Sequence, residues 1–121
     1  MIAVDILDLT YLYSLSDGDK VFERLLLSGT VEELDKLIPE LYEALQLKNI
    51  EVLNQRAHSL ISLSAIAGIT EIEISCREIE LLQKKNVPVA FYELLVNKIF
   101  SIWPAAKIAL LKILLVEVKL V

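Results

Sequence analysis

Apolar residues recur along most of this chain at alternating spacings of three and four, the period of an α-helix with one buried face. The clearest row lies in the middle of the chain, after a turn that is expected at Lys48 and Asn49. Gly68 follows the row directly and is suited to a left-handed C-terminal cap. The row therefore predicts a central helix that faces a core through Leu53, Ala57, Leu60, Ser64 and Ala67.

The same period predicts two helices before the central one. Asp8 can cap a short helix, which is followed by a turn. A long helix is then predicted from about residue 19 to residue 47, and Pro39 is expected to bend it because proline removes a backbone hydrogen bond. The predicted apolar faces are Leu9, Leu12 and Leu15 in the short helix, and Val21, Phe22, Leu25, Leu26, Val31, Leu34, Ile38, Leu41 and Leu45 in the long one.

Two further helices are predicted after the central one. The first begins directly after Gly68 and ends near Lys84. The second opens at Pro88 and is expected to bend or break at Trp103 and Pro104. Their predicted apolar faces are Ile69, Ile72, Cys76, Ile79 and Leu82 in the first, and Phe91, Leu94, Leu95, Ile99 and Ile102 in the second.

Residues 105–121 form a tail that is apolar around nearly its whole circumference. We interpret it as an extra helix or an interface segment, and a homodimer through it is one alternative. Four charged residues and Pro104 near its start argue against a membrane span. The pattern as a whole predicts an all-α single domain of residues 1–121. Its core is an antiparallel four-helix bundle, with a short N-terminal helix and an extended, apolar C-terminal helix.

Composition and charge exclude several classes of function. The 121 residues carry a net charge of -5 without a Lys/Arg cluster, which argues against nucleic-acid binding. The single cysteine, Cys76, fits a reducing cytoplasm, and Asp5 and Asp8 interrupt the apolar start, so no secretory signal is expected. The sequence has no Gly-rich phosphate loop, second histidine or cysteine pair, so we expect neither a cofactor nor a bound metal.

His58 is the only histidine of the chain, and it lies one residue away from the apolar row of the central helix. Its neighbours on the same helical face are uncharged and mostly small. An imidazole in this setting is expected to reach solvent and to have room for a partner. The neighbours that would form the docking face are Asn54, Gln55, Ile61, Ser62 and Ala65.

Several residues on this helix and on its neighbours match the pattern of one known family. They are Leu41, Ala44, Leu45, Asn49, Leu53, Ala57, His58, Leu60, Gly68, Ile72, Cys76, Ile79 and Glu80. Through these residues the chain resembles the histidine phosphotransfer (HPt) domains of bacterial multistep phosphorelays, from about residue 7 to residue 100. The family usually has Lys and Gly where this chain has Ile61 and Ser62. Loss of the Lys is expected to slow transfer or change the receiver that fits.

The resemblance implies a phosphocarrier without kinase activity of its own. His58 would accept a phosphoryl group from a receiver-domain aspartate and pass it to another receiver, with response regulators or a hybrid sensor kinase as partners. Glu80 matches the family position that often holds the ring nitrogen that is not phosphorylated. A carboxylate there would accept from Nδ1 and leave Nε2 free to attack. The alternative, a Glu80 that is merely a solvated helix residue, stays open.

Two other functions stay open at this point. One is a degenerate module that keeps the fold and binds receivers without transferring phosphate. The other is a structural oligomerisation domain, which the apolar tail would favour. The receivers, the direction of phosphate flow, the oligomeric state and whether the chain is free-standing are not indicated by the sequence.

Overall fold

Five α-helices follow the apolar pattern of the chain. The structure, a computed structural model, describes residues 7–120, with side chains described as far as Val116. The expectations that involve Asp5 and the last residue of the tail therefore lie outside the described part. The helices are α1 Thr10–Ser16, α2 Lys20–Gln46, α3 Ile50–Ala67, α4 Thr70–Gln83 and α5 Val89–Leu120.

Helices α2 to α5 pack as a closed ring in which each contacts two others, and α1 lies against α2 and α3. Short turns join successive helices, so neighbours in the ring run antiparallel. The predicted all-α class and antiparallel four-helix core, with a short first helix and a long last one, are confirmed. The buried core contains Leu12, Leu27, Leu34, Ile38, Leu41, Leu53, Leu60, Ile69, Ile72, Ile79, Ile99 and Leu110.

The ends of α3, the helix that carries His58, are set by two local signals. The side chain of Asn49 accepts a hydrogen bond from the backbone N–H of Val52 and so caps the helix start. Gly68 ends the helix in a left-handed conformation, with φ of +75°. The backbone N–H of Asp8 donates to the carbonyl of Gly68 at 2.8 Å, and a Cβ on Gly68 would collide with this incoming chain.

The first turns of α2 differ from the prediction. Val21, Phe22 and Leu25 were expected on the apolar face, yet they are exposed. The row that faces the core instead extends back from Leu27 to Glu23, which is buried. The Glu23 carboxylate is tolerated there because it accepts hydrogen bonds from the Ser16 hydroxyl and the Lys20 ammonium. The second half of the predicted row is buried as expected, from Val31 to Leu45.

Helix α5 also differs from the prediction in two respects. Phe91 and Leu94 are exposed, and the buried row is Tyr92, Val96, Ile99, Trp103, Ala106 and Leu110. The sequence predicted a bend or a break at Trp103 and Pro104. The break does not occur, because the helix is continuous from residue 89 to residue 120, and the bend stays a prediction. Burial of Trp103 before the proline and of Ala106 after it stabilises the helix where Pro104 removes a backbone hydrogen bond.

The segment Val89–Val116 of α5 is long and apolar enough to cross a membrane by length and composition alone. The same segment supplies an entire buried row to the bundle core. Its remaining apolar surface includes Phe91, Leu94 and Phe100 before Pro104, and a second stretch beyond Pro104. The exposed apolar residues there are Ile108, Leu111, Leu115 and Val116.

Candidate functional site

His58 lies on the solvent side of α3, and its side chain is 77% exposed. Its neighbour in sequence, Ala57, belongs to the fully buried row of the same helix. Successive residues of an α-helix point about 100° apart, so a residue next to a buried one can still stand at the edge of the bundle. The regular buried row of α3 thus holds the imidazole at the surface of a rigid element.

Glu80 on α4 reaches across to this imidazole. Its Oε1 accepts a hydrogen bond from His58 Nδ1, and the Glu80 side chain is 36% exposed. A carboxylate has no proton to give, so Nδ1 is the donor in this contact. In the neutral ring the lone pair then lies on Nε2. Glu80 follows Ile79, which is fully buried, so the packing of α4 sets the position of the carboxylate.

A shallow groove of about 490 Å³ surrounds the His58 and Glu80 pair. Of the predicted docking residues, Asn54 and Gln55 line it. Asn54 is buried, and its Oδ1 has no hydrogen-bond partner among the described residues. Two further lining residues were not predicted, namely Glu51 and Gln83. Helical spacing contains the signal for both, since Glu51 lies two turns before His58 and Gln83 three residues after Glu80.

The other three predicted docking residues lie in a second groove, of about 670 Å³. Ile61, Ser62 and Ala65 form its α3 wall. The structure therefore divides the predicted docking face between two grooves along α3. The sequence analysis missed the rest of the second groove, which comes from α1 and α4 and includes Thr10, Tyr11, Ser14, Glu73 and Arg77. Which residues of α1 would lie there depends on how that helix docks, and no spacing along the chain encodes this.

Cys76 belongs to the buried face of α4 and has no exposed surface. Its burial, and to a smaller extent the nearby charges of Glu80 and Glu73, raise the pKa of the Cys76 thiol to about 12. The thiol is therefore protonated at neutral pH and is a poor nucleophile. Among the described residues there is also no cluster of three His, Cys, Asp or Glu side chains that could hold a metal ion. Cys76 therefore adds no nucleophile to the groove at His58.

Comparison with known proteins places the chain in one family. The family model of the Hpt domain matches residues 26–114, so the chain belongs to the Hpt domain family. Proteins of this family are phosphotransfer modules that act as carriers and not as kinases. A search of curated proteins gave no match.

A solved structure shows the same fold. The HPT domain of a sensor hybrid histidine kinase from Shewanella superposes with a TM-score of 0.80 and 17% sequence identity. The alignment covers 92% of this chain and 95% of the Shewanella chain. The likeness confirms the helical bundle of the described residues and carries no statement about individual side chains.

Proposed function

We propose that this protein is a phosphocarrier of a multistep phosphorelay, with His58 as the phosphoryl acceptor. The observation that carries the proposal is the exposed imidazole whose Nδ1 is bound by Glu80, because this contact directs the lone pair of Nε2 outward. Membership of the Hpt domain family supports the same role. The receiver supplies the cation for such a transfer, and no nucleotide takes part. The carrier therefore needs no phosphate-binding loop.

The transfer proceeds by displacement at phosphorus. The Nε2 lone pair forms a P–N bond while the P–O bond of the receiver's aspartyl phosphate breaks, and the aspartate leaves as a carboxylate. Attack by a neutral ring places positive charge on the imidazole. The Glu80 carboxylate stabilises this charge through the Nδ1 proton. In the return direction the same bonds form and break in reverse on a second receiver, and no net proton is required.

The receiver would dock over both grooves that flank His58. The wall provided by Asn54 and Gln55 is polar, whereas the groove beyond Ile61 adds the ring of Tyr11 from α1, which is 50% exposed. An apolar area beside polar groups is typical of a transient protein interface. Helix α1 would therefore contribute to receiver choice as well as α3.

We place the protein in the cytoplasm, where receivers and the reduced state of Cys76 are expected. The buried row of α5 supports its role as a core helix and not as a membrane span. The exposed apolar residues of α5 beyond Pro104 are compatible with a homodimer, which remains a prediction.

The proposal is tested by incubating the protein with a phosphorylated receiver domain and Mg²⁺. The expected product carries an acid-labile, base-stable label on His58. His58→Gln should lose the label completely while keeping the helical circular dichroism spectrum and thermal midpoint of the wild type. Ser59→Ala is the matched control, because Ser59 is the next residue of α3 and is also exposed; it should retain the label.

Two outcomes would replace the proposal with one of its alternatives. Binding of several receivers without any label would indicate a module that has kept docking and lost transfer. A dimer that survives dilution, measured by sedimentation, together with no receiver binding would indicate a structural oligomerisation domain.

A further inference from the structure

The electrostatics around His58 pose a problem for a phosphorylated state. The groove that contains the imidazole is lined by two carboxylates, those of Glu51 and Glu80. A phosphoryl group on Nε2 adds up to two negative charges beside them. Like charges this close repel each other, so a cation within reach would stabilise the phosphorylated form.

Arg77 is the positively charged residue among the described residues that line the two grooves. It lies three residues before Glu80 on α4, so the two side chains are neighbours on one helical face. Helices α3 and α4 are antiparallel, and Glu80 pairs with His58 across them. One turn further along, Arg77 shares a groove with Ile61 and Ser62, which follow His58 on α3 by three and four residues. The Arg77 backbone thus lies three residues, about 4.5 Å along the helix axis, from the level of the imidazole.

The present partner of Arg77 is replaceable. Its Nη2 and Nε donate to one oxygen of Glu73 at 3.1 and 3.2 Å, and the Arg77 side chain is 59% exposed. An exposed pair of this kind within one helix is weak. A phosphoryl group carries more charge than a carboxylate and offers three acceptor oxygens, which suit the fork of a guanidinium. Two other cations of this region are placed less well: Arg56 donates to Glu40 at 2.7 Å, and Lys84 lies beyond the last residue of α4.

We propose that Arg77 is a phosphoryl-binding residue that leaves Glu73 when His58 is phosphorylated and donates to the phosphoryl oxygens on Nε2. Glu73 then acts as the resting partner that holds the guanidinium beside the site. This inference rests on the proposed role of His58 and adds the group that neutralises the incoming charge.

The test uses phosphoramidate, a small phosphoryl donor, so that it does not depend on a receiver. The Nε2 lone pair forms a P–N bond, the P–N bond of the donor breaks, and ammonia leaves after taking up a proton from water. In the wild type, phosphorylation should shift the side-chain Nε–H resonance of Arg77 in a nitrogen–proton correlation spectrum. The same treatment of His58→Gln should leave that resonance in place.

The rate of labelling by phosphoramidate provides the second readout. Arg77→Gln should lower the initial rate by about threefold, the effect expected of one partly exposed charge interaction, and added salt should shrink the difference. Arg77→Lys should recover part of the rate, and Glu73→Gln should raise it because the guanidinium is released. Lys98→Gln removes the same charge from an exposed site on α5 and should leave the rate unchanged.

A double variant separates a local contact from an effect of net charge. Glu73→Gln with Arg77→Gln has the net charge of the wild type, and we expect the low rate of the single Arg77 variant. The inference is overturned if Arg77→Gln and Lys98→Gln label at equal rates, if the Arg77 resonance does not move, or if Lys84→Gln alone causes the loss. Labelling by phosphoramidate without labelling by any receiver would instead refute the phosphocarrier function. The rates at which phosphoramidate labels the wild type and the Arg77 variants would still test the role of Arg77.

Discussion

Two carboxylates of this protein accept a hydrogen bond from an aromatic ring nitrogen on a neighbouring helix. Glu80 on α4 accepts from His58 Nδ1 on α3, and Asp35 on α2 accepts from Trp103 Nε1 on α5 at 3.1 Å. The surroundings differ, since the His58 side chain is 77% exposed whereas Trp103 is 6% exposed. The contacts are alike in donor and acceptor, yet in the proposed function only one of them prepares a reactive group.

The difference arises from whether the ring has a second nitrogen, and from the other partners of each carboxylate. Imidazole has a second nitrogen that faces solvent, whereas indole has a single N–H and no lone pair to offer. Asp35 also accepts from the Lys107 ammonium at 2.9 Å. The hydrogen bonds from Lys107 and Trp103 lower the pKa of the Asp35 carboxyl, so both partners that stabilise its charge belong to the fold. Both contacts join two helices, and in the proposed function only the Glu80 contact also orients a nucleophile.

The largest expected effect is on stability, at the structural contact. Trp103→Ala should lower the free energy of unfolding by about 3 to 5 kcal/mol, because a nearly buried indole leaves a cavity in the core. Denaturant titration measures this loss. Trp103→Phe keeps most of the volume and removes only the N–H, so its cost should be near 1 kcal/mol.

If the two contacts are independent, folded Trp103→Phe should be labelled on His58 at the wild-type rate. A strong loss of labelling in that variant would show that the two contacts are coupled through the bundle.

The next effect is on chemistry, at the reactive contact. Glu80→Ala should slow labelling of His58 by roughly tenfold, which corresponds to about 1.4 kcal/mol of lost stabilisation of the developing imidazolium. Glu80→Gln keeps an acceptor for Nδ1–H without the charge and should fall between the wild type and Glu80→Ala. Nitrogen NMR of the His58 ring should show a smaller share of the Nδ1–H tautomer in Glu80→Ala. Equal rates in all three proteins, with an unchanged tautomer, would make Glu80 a bystander.

A smaller effect is expected at Asp35. Asp35→Asn should lower the free energy of unfolding at pH 7 by about 1 kcal/mol, a modest value because the Asp35 side chain is 47% exposed. The pKa of Asp35 is lowered in the folded state, so its stabilisation is present above the unfolded pKa and is lost as pH falls through the folded pKa. The gap between wild type and variant should thus close below about pH 4. A gap that stays constant down to pH 2 would mean that the charge of Asp35 is not what stabilises the contact.

The smallest effect should come from Lys107→Gln. The Lys107 side chain is 37% exposed and its partner Asp35 also keeps the bond from Trp103, so the loss should be about 0.3 kcal/mol. Thermal unfolding of the two proteins at low and high salt measures it. A loss above 1 kcal/mol would indicate that Lys107, and not Trp103, is the principal partner of Asp35.

Local signals in the sequence predicted α3 well. Asn49 at its start, Gly68 at its end and an uninterrupted buried row determine both the bounds of the helix and the side on which His58 stands. The early turns of α2 and α5 were predicted less well because their apolar residues surround the helix. Phe22 and Leu94 satisfy the period as well as Leu27 and Val96 do, and only packing against neighbours selects one row.

The residues of the candidate site also fall into two groups, those that helical spacing indicates and those that only helix packing brings together. Residues three, four and seven positions from His58 or Glu80 follow from helical spacing, as Glu51 and Gln83 show. The contact of Glu80 with Nδ1 joins residues 22 positions apart and requires α3 and α4 to pack at a particular register. The proposed role of Arg77 depends on that same register.

The sequence by itself determined the helical class, the ends of the central helix and the exposed edge on which the histidine lies, because these depend on backbone propensities and on the period of one helix. Only the tertiary structure decided which face of α2 and α5 is buried, whether α5 continues through Pro104, and which carboxylate meets the imidazole. Those outcomes depend on contacts between helices, and a contact between helices has an energy only after the bundle has brought them together.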